Sequence, residues 1–162
     1  MIIIWILAFA ITITIHEAAH AWMADRLGDP TARLAGRLSL NPIKHYDPVG
    51  TTLLLVLVIM RSVGIPVIPF GWAKPVPVDP YNLADPKKDS ALISIAGPLA
   101  NIALATILSI VLRLFSHEAL FPIFYPVILL NVALAVFNLI PVHPLDGGKV
   151  LTEPLINRVN IF

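Results

Sequence analysis

Residues His16-Glu17-Ala18-Ala19-His20 follow the pattern H-E-x-x-H. On a helix, positions i and i+4 share one face, so both imidazoles can reach a single Zn²⁺ at about 2.0–2.1 Å. Glu17 sits beside them and can take a proton from water polarised by that metal, the general-base role. The pentapeptide by itself is a moderate signal, since it also occurs by chance in soluble helices. The bland alternative is an interfacial cluster whose side chains snorkel to lipid headgroups. A catalytic zinc site takes three protein ligands and keeps one position open, so a further acid or histidine is needed from elsewhere. Asp146 directly follows the last long apolar run, within Asn138-Leu139-Ile140-Pro141-Val142-His143-Pro144-Leu145-Asp146-Gly147-Gly148. The two prolines break the helix there, and the paired glycines allow close backbone approach. His143 and Asp47 compete for the role, and Asp146 could equally be a helix N-cap.

The elements that would carry these residues are apolar. Of the 162 residues 57% are hydrophobic, mean hydropathy is +0.84, and 13% are Asp, Glu, Lys or Arg. An ordinary soluble domain carries roughly 25% charged residues, so a disordered chain is excluded and a soluble enzyme is disfavoured. A net charge of +1 gives no footprint for nucleic acid. The absence of cysteine excludes disulfides, thiolate metal sites and thiol nucleophiles. A bilayer-spanning helix needs about 20 mostly apolar residues. Stretches 91–112 and 119–142 qualify, and neither carries a charged residue. Residues 1–24 are apolar up to His16, and their length and polar chemistry argue against a cleaved signal peptide. Stretch 49–70 is interrupted by Arg61, Gly64, Pro66 and Pro69. The proline-rich connection 71–89 suits an irregular loop, with a candidate short edge strand near 72–78.

Four full spans would leave Asp146 across the roughly 30 Å core from His20, too far for one metal. If 49–70 dips in and returns, Asp146 arrives at the depth of His20. Charge supports the second arrangement. It places Arg26, Arg33, Arg37, Lys44, Lys74 and Lys87, with Arg61, Lys88, Lys149 and Arg158, on one face and Arg113 alone on the other. The positive-inside rule makes the rich face cytosolic. The expectation is an all-α polytopic membrane protein with three transmembrane helices plus a re-entrant apolar segment. It forms one domain over 1–162, with its zinc site toward the cytosol of the plasma or inner membrane.

In order along the chain stand HEAAH at 16–20, NPIKHYDPVGT at 41–51, GWAKPVPVDP at 71–80, AGPLAN at 96–101 and NLIPVHPLDGG at 138–148. This series resembles the site-2 protease family, the zinc intramembrane metalloproteases, and in particular its short bacterial branch without PDZ or CBS domains. The resemblance runs from about Trp5 to Leu151. It implies one Zn²⁺ per chain held by His16, His20 and Asp146, and Glu17 as catalytic base. It also implies Asn138 as a support for the substrate or the tetrahedral intermediate, and a transmembrane protein segment in the lipid bilayer as substrate. Short members usually continue past LDGG with another apolar helix, whereas this chain stops at Phe162, so a shortened C-terminus is expected. The rival readings are an inactive family member, a zinc-binding membrane scaffold, and a zinc transporter. A transporter should show paired polar groups along several helices, and a scaffold should have lost Glu17.

Among the other polar residues, Asn101 and Asn131 are expected to bond between helices. Gly97-Pro98 is expected to let helices pack closely, and His117 to be solvated. Arg113 reads as an interfacial anchor, and Trp5, Trp22 and Trp72 as core or headgroup-level anchors. His45 and Asp47 either close the site from below or cap the turn at Asn41-Pro42.

Overall fold

The structure, a computed structural model, describes residues 2–68, 70–115 and 119–150. His117 and the chain from 151 on, with Arg158 and the expected C-terminal shortening, lie outside the described residues.

Three helices are long and apolar enough to cross a membrane: α1 (Ile2–Arg26), α4 (Pro86–Phe115) and α5 (Phe121–Asn138). Of the apolar stretches expected from the sequence, α4 contains 91–112, α1 covers 2–24 of 1–24, and α5 covers 121–138 of 119–142. Between α1 and α4 lie two shorter helices, α2 (Thr31–Leu34) and α3 (Gly50–Ser62). At the start of α4 the Asp85 carboxylate accepts from the Lys88 N–H, and Asp89 accepts in return from the Asp85 N–H. This reciprocal cap satisfies first-turn donors and puts negative charge at the positive end of the helix dipole.

The three long helices pack on one another through small and polar side chains. Ala8, Ala21, Ala24, Ala96, Ala105 and Ala135 are buried, as are Thr12, Asn101 and Asn131. Large apolar side chains such as Leu7, Ile11, Ile107, Ile110, Leu129 and Val136 point outward and are exposed. In water such a surface would drive aggregation. In lipid, apolar burial between helices gains little, and close approach through small residues carries the association instead.

Contacts fix the direction of each helix. Asn101 meets Thr12 and His16, while Ile93 meets His20, so α1 and α4 run antiparallel. Asn131 meets Thr12 while Asp146 meets His20, so α5 runs parallel to α1. The chain between α1 and α4 therefore starts and finishes at the same end of the bundle. Its 13-residue α3 is only about 20 Å long at 1.5 Å per residue, short of the roughly 30 Å core. After α3 the chain turns at Gly64, which has φ +90°, and comes back to where α3 began. There a Cβ on Gly71 would lie 2.7 Å from Leu54 Cβ and would strike the Gly50 carbonyl oxygen. Residue 71 thus lies back beside residue 50, and among the described residues three helices, not four, are long and apolar enough to span a membrane.

The returning chain is strapped beneath the helix ends. The Lys74 N–H donates to the His45 carbonyl at 3.0 Å. The buried Arg37 guanidinium donates to the Lys74 carbonyl and, at 3.3 Å, to that of Pro75. Burial lowers the Arg37 pKa from its usual value, and the negative charge of Glu17 acts against that shift. The expected edge strand near 72–78 does not form, and no strand occurs among the described residues. Both peptide groups of Lys74 are already engaged, and Pro75 and Pro77 have no N–H to give. Lower down, Asp29 accepts from the N–H groups of Thr31 and Asp79 and from the Asn82 amide. Burial opposes its charge, but these donors outweigh that and hold its pKa below the ordinary value. Ala24, Leu83 and Ile93 close a small core just past His20.

Candidate metal centre

The i, i+4 spacing turns His16 and His20 toward α4, where both rings are buried with centroids 4.6 Å apart. The bend after α5 brings in the third group. Residues 139–142 fold back over the paired glycines, where a Cβ on Gly148 would lie 2.7 Å from the His143 nitrogen. The chain is helical again from Asp146. Asp146 Oδ2 then stands 3.2 Å from His16 Nε2 and 3.3 Å from His20 Nε2, and the two Nε2 atoms are 3.0 Å apart.

The far sides of the rings settle their tautomers. His20 Nδ1 lies 2.7 Å from the Ile93 carbonyl oxygen, so Nδ1 carries the proton and donates. Pro98, inside α4, has no N–H for the Ser94 carbonyl, one residue after Ile93. His16 Nδ1 lies 2.6 Å from Asn101 Oδ1. The Asn101 amide is oriented by its own donors, which go to the Thr12 carbonyl at 3.1 Å and to Asn131 Oδ1 at 2.6 Å. Asn131 donates in turn to Thr12 Oγ1 and to the Val127 carbonyl. With both Nδ1 atoms protonated, two Nε2 lone pairs and a carboxylate oxygen face one another within 4.8 Å. Three acceptors so arranged repel unless a cation lies between them. Ligand atoms about 2.0–2.1 Å from a tetrahedral zinc stand roughly 3.3 Å apart, and the three separations here are 3.0, 3.2 and 3.3 Å. The residues fit zinc, with the outer hydrogen bonds that orient metal-bound imidazoles.

Gly97 lines the same point on α4. A Cβ there would strike His20 Nε2 and lie 2.7 Å from His20 Cε1 and 2.8 Å from His16 Cε1. The expected close helix packing at Gly97-Pro98 is thus packing of α4 backbone against the two histidines.

The other candidates go elsewhere. His143 is exposed. Asp47 caps α3, accepting from the N–H groups of Val49 and Gly50. His45 is 1% exposed and donates from Nε2 to the Ser39 carbonyl. Glu17 is half-buried and makes no hydrogen bond or ion pair among the described residues. Its charge is felt at both His20 and Arg37. Asn138 donates 3.1 Å back to the Leu134 carbonyl of its own helix, and the structure does not bond it to the cluster.

Comparison with known proteins gives the same direction. Residues 115–160 match peptidase family M50. YwhC of Bacillus subtilis is 39% identical over 91% of this chain and 67% of its own length. The chain belongs to peptidase family M50. Rip2 of Mycolicibacterium smegmatis is 34% identical over 96% of this chain and 58% of its own length. The zinc metalloprotease MJ0392 of Methanocaldococcus jannaschii is 39% identical over 45% of this chain and 22% of its own length. No solved structure matches. The chain thus spans between about half and two thirds of the first two relatives. Like YwhC and Rip2, which carry zinc metalloprotease in their names, it presents an M50 chain with a site suited to zinc.

Within this M50 chain, Asn101 is the site residue that sequence reasoning undervalued. The sequence signalled only a polar residue in an apolar helix, inside the AGPLAN landmark; its bond to His16 is visible in the structure alone. Asn101→Leu keeps the number and branching of heavy atoms and removes the acceptor for His16 Nδ1. Loss of such an outer partner typically costs about 10–100-fold in metal affinity. Competition with a chromogenic chelator should show a fall of that size, with helicity unchanged by circular dichroism.

Proposed function

We propose that this chain is a zinc-dependent intramembrane endopeptidase. In this reading His16, His20 and Asp146 hold one zinc and Glu17 is the base. The observation that carries it is the convergence of two lone-pair-bearing imidazoles and one carboxylate at a point beside an unpaired glutamate. A bound zinc supplies Lewis acidity and lowers the pKa of water to about 7. Among the described residues Glu17 has no competing hydrogen-bond or ion-pair partner, so in this reading its carboxylate accepts the proton of the attacking water and passes it to the leaving amine. Arg37 holds the 74–75 backbone and places positive charge near Glu17. Among the described residues Asn138 bonds only the Leu134 carbonyl, and in this reading it steadies the substrate or the developing oxyanion. Retention of Glu17 disfavours an inactive scaffold. The clustering of ionisable groups at one depth disfavours a transporter.

The substrate is a transmembrane protein segment that must unwind locally, because a helix hides its carbonyls. His20 lies six residues before the end of α1, roughly 9 Å from it along the axis. Cleavage then falls just inside one leaflet, with 50–71 as a re-entrant excursion. The excess of Lys and Arg at that end makes the leaflet cytosolic in a multi-pass cell-membrane protein. Tyr81 is 98% exposed at that end, and the chain has no native cysteine. Tyr81→Cys should be labelled by an impermeant maleimide only from the cytosolic side; labelling from outside would reverse the orientation. The direct test is cleavage of a panel of single-span peptides by purified protein in detergent. Cutting by the wild type and not by Glu17→Gln is expected, and zinc-loaded wild type that cuts none refutes the protease reading.

A further inference from the structure

Thr12 on α1, Asn101 on α4 and Asn131 on α5 meet at one point between the three long helices. All three are at most 1% exposed, out of reach of solvent. Small residues already bring these helices together, Ala105 and Ala135 among them, and a hydrogen bond between membrane helices adds little to their association. What the two asparagines add is direction.

An amide side chain accepts at its oxygen and donates at its nitrogen, and a backbone carbonyl only accepts. Asn131 Nδ2 lies 2.8 Å from the Val127 carbonyl oxygen, one turn back on its own helix, and 2.8 Å from Thr12 Oγ1. The carbonyl fixes the nitrogen at that place and turns Asn131 Oδ1 toward α4. Asn101 Nδ2 donates to that oxygen at 2.6 Å and to the Thr12 carbonyl at 3.1 Å. Its own Oδ1 is left facing His16 Nδ1 at 2.6 Å. An oxygen there requires the proton on Nδ1 and leaves the lone pair on Nε2, the atom that faces His20 and Asp146. Turning the Asn101 amide over would set its oxygen against both acceptors and offer His16 an N–H instead. The ring would then need its lone pair at Nδ1 and its proton at Nε2, where a metal must bind. Asn131 supplies one of the two acceptors that oppose this.

We infer that Asn131 is a positioning residue for zinc. Acting through Asn101, it holds His16 with its proton on Nδ1 and its Nε2 lone pair toward the metal. The inference rests on His16 being a zinc ligand, and its test separates the two. In Asn131→Leu the Thr12 carbonyl alone holds the Asn101 amide. Zinc affinity, by chelator competition, should fall about 2–10-fold, the worth of one hydrogen bond, and less than in Asn101→Leu. Added to Asn101→Leu, it should cost nothing more, because its route to the metal is already gone. The double variant replaces both partners of a buried bond by apolar groups, which costs a fold little. In zinc-loaded protein with ¹⁵N-labelled histidine, the His16 Nδ1–H signal should move upfield in Asn131→Leu as its bond to Asn101 loosens. The His20 signal should stay in place, since its Nδ1–H is held by the Ile93 carbonyl. If Asn131 only packs helices, Asn131→Leu lowers Tm and leaves zinc affinity unchanged, or cuts it by the same factor with and without Asn101. Either result overturns the positioning role and leaves the zinc site standing. Should Asn131→Leu not fold, the wild type still decides: a zinc-loaded chain with no hydrogen-bonded Nδ1–H signal from His16 overturns the inference. Wild type that binds no zinc overturns the site and the inference together.

Discussion

Replacing Glu17 with Gln should leave zinc bound at one per chain and lower peptide cleavage by roughly 10²–10⁴-fold, the usual worth of a positioned acid–base group. The residue supplies none of the three ligand atoms, so metal content should not follow it. Glutamine has the same shape and is not a base at neutral pH, and among the described residues Glu17 makes no bond whose loss would unfold the chain. The reading is sharp because structure and chemistry are separated. Metal analysis and circular dichroism report an intact site while turnover disappears. A Glu17→Gln protein that still cuts at a comparable rate removes Glu17 from the base role. One that loses zinc as well shows that the carboxylate supports the metal site itself.

How much of this was legible beforehand differs from residue to residue, for physical reasons. The pairing of His16 with His20 follows from helix geometry alone. The arrival of Asp146 at the same depth is tertiary, yet it follows from counting crossings, because the length of an apolar run and the thickness of a bilayer are both fixed. The shortness of α3 was readable for the same reason: Arg61, Gly64 and Pro66 cut the apolar run short. What could not be read were partnerships between distant polar atoms. Asn101 meets His16 across 85 positions of sequence, and neither residue's neighbours announce it. The edge strand near 72–78 failed for a similar reason. Alternation suited a strand, but Arg37 and His45 had already taken the Lys74 peptide groups. Gly97 was read as a packing glycine, and what packs there is the pair of imidazoles rather than another helix alone.

Replacing Asp146 with Ala should lower zinc affinity by more than roughly 100-fold, beyond the range for outer hydrogen-bond partners, and should abolish cleavage with it. The two histidines alone leave a site with two neutral ligands. The lost carboxylate is the only anionic member of the cluster, so the charge that offsets the cation's desolvation is lost with it. Asp146→Asn should fall between wild type and Ala, since it offers an oxygen without the charge. The helices should survive all of these changes. The contacts of α1 with α4 and α5 run through Asn101, Asn131 and Thr12, and none of those bonds involves Asp146. Zinc content by elemental analysis, read beside circular dichroism, separates the outcomes. An Asp146→Ala protein that keeps one zinc at wild-type affinity means that another group completes the site, and the geometric assignment of the third ligand then fails.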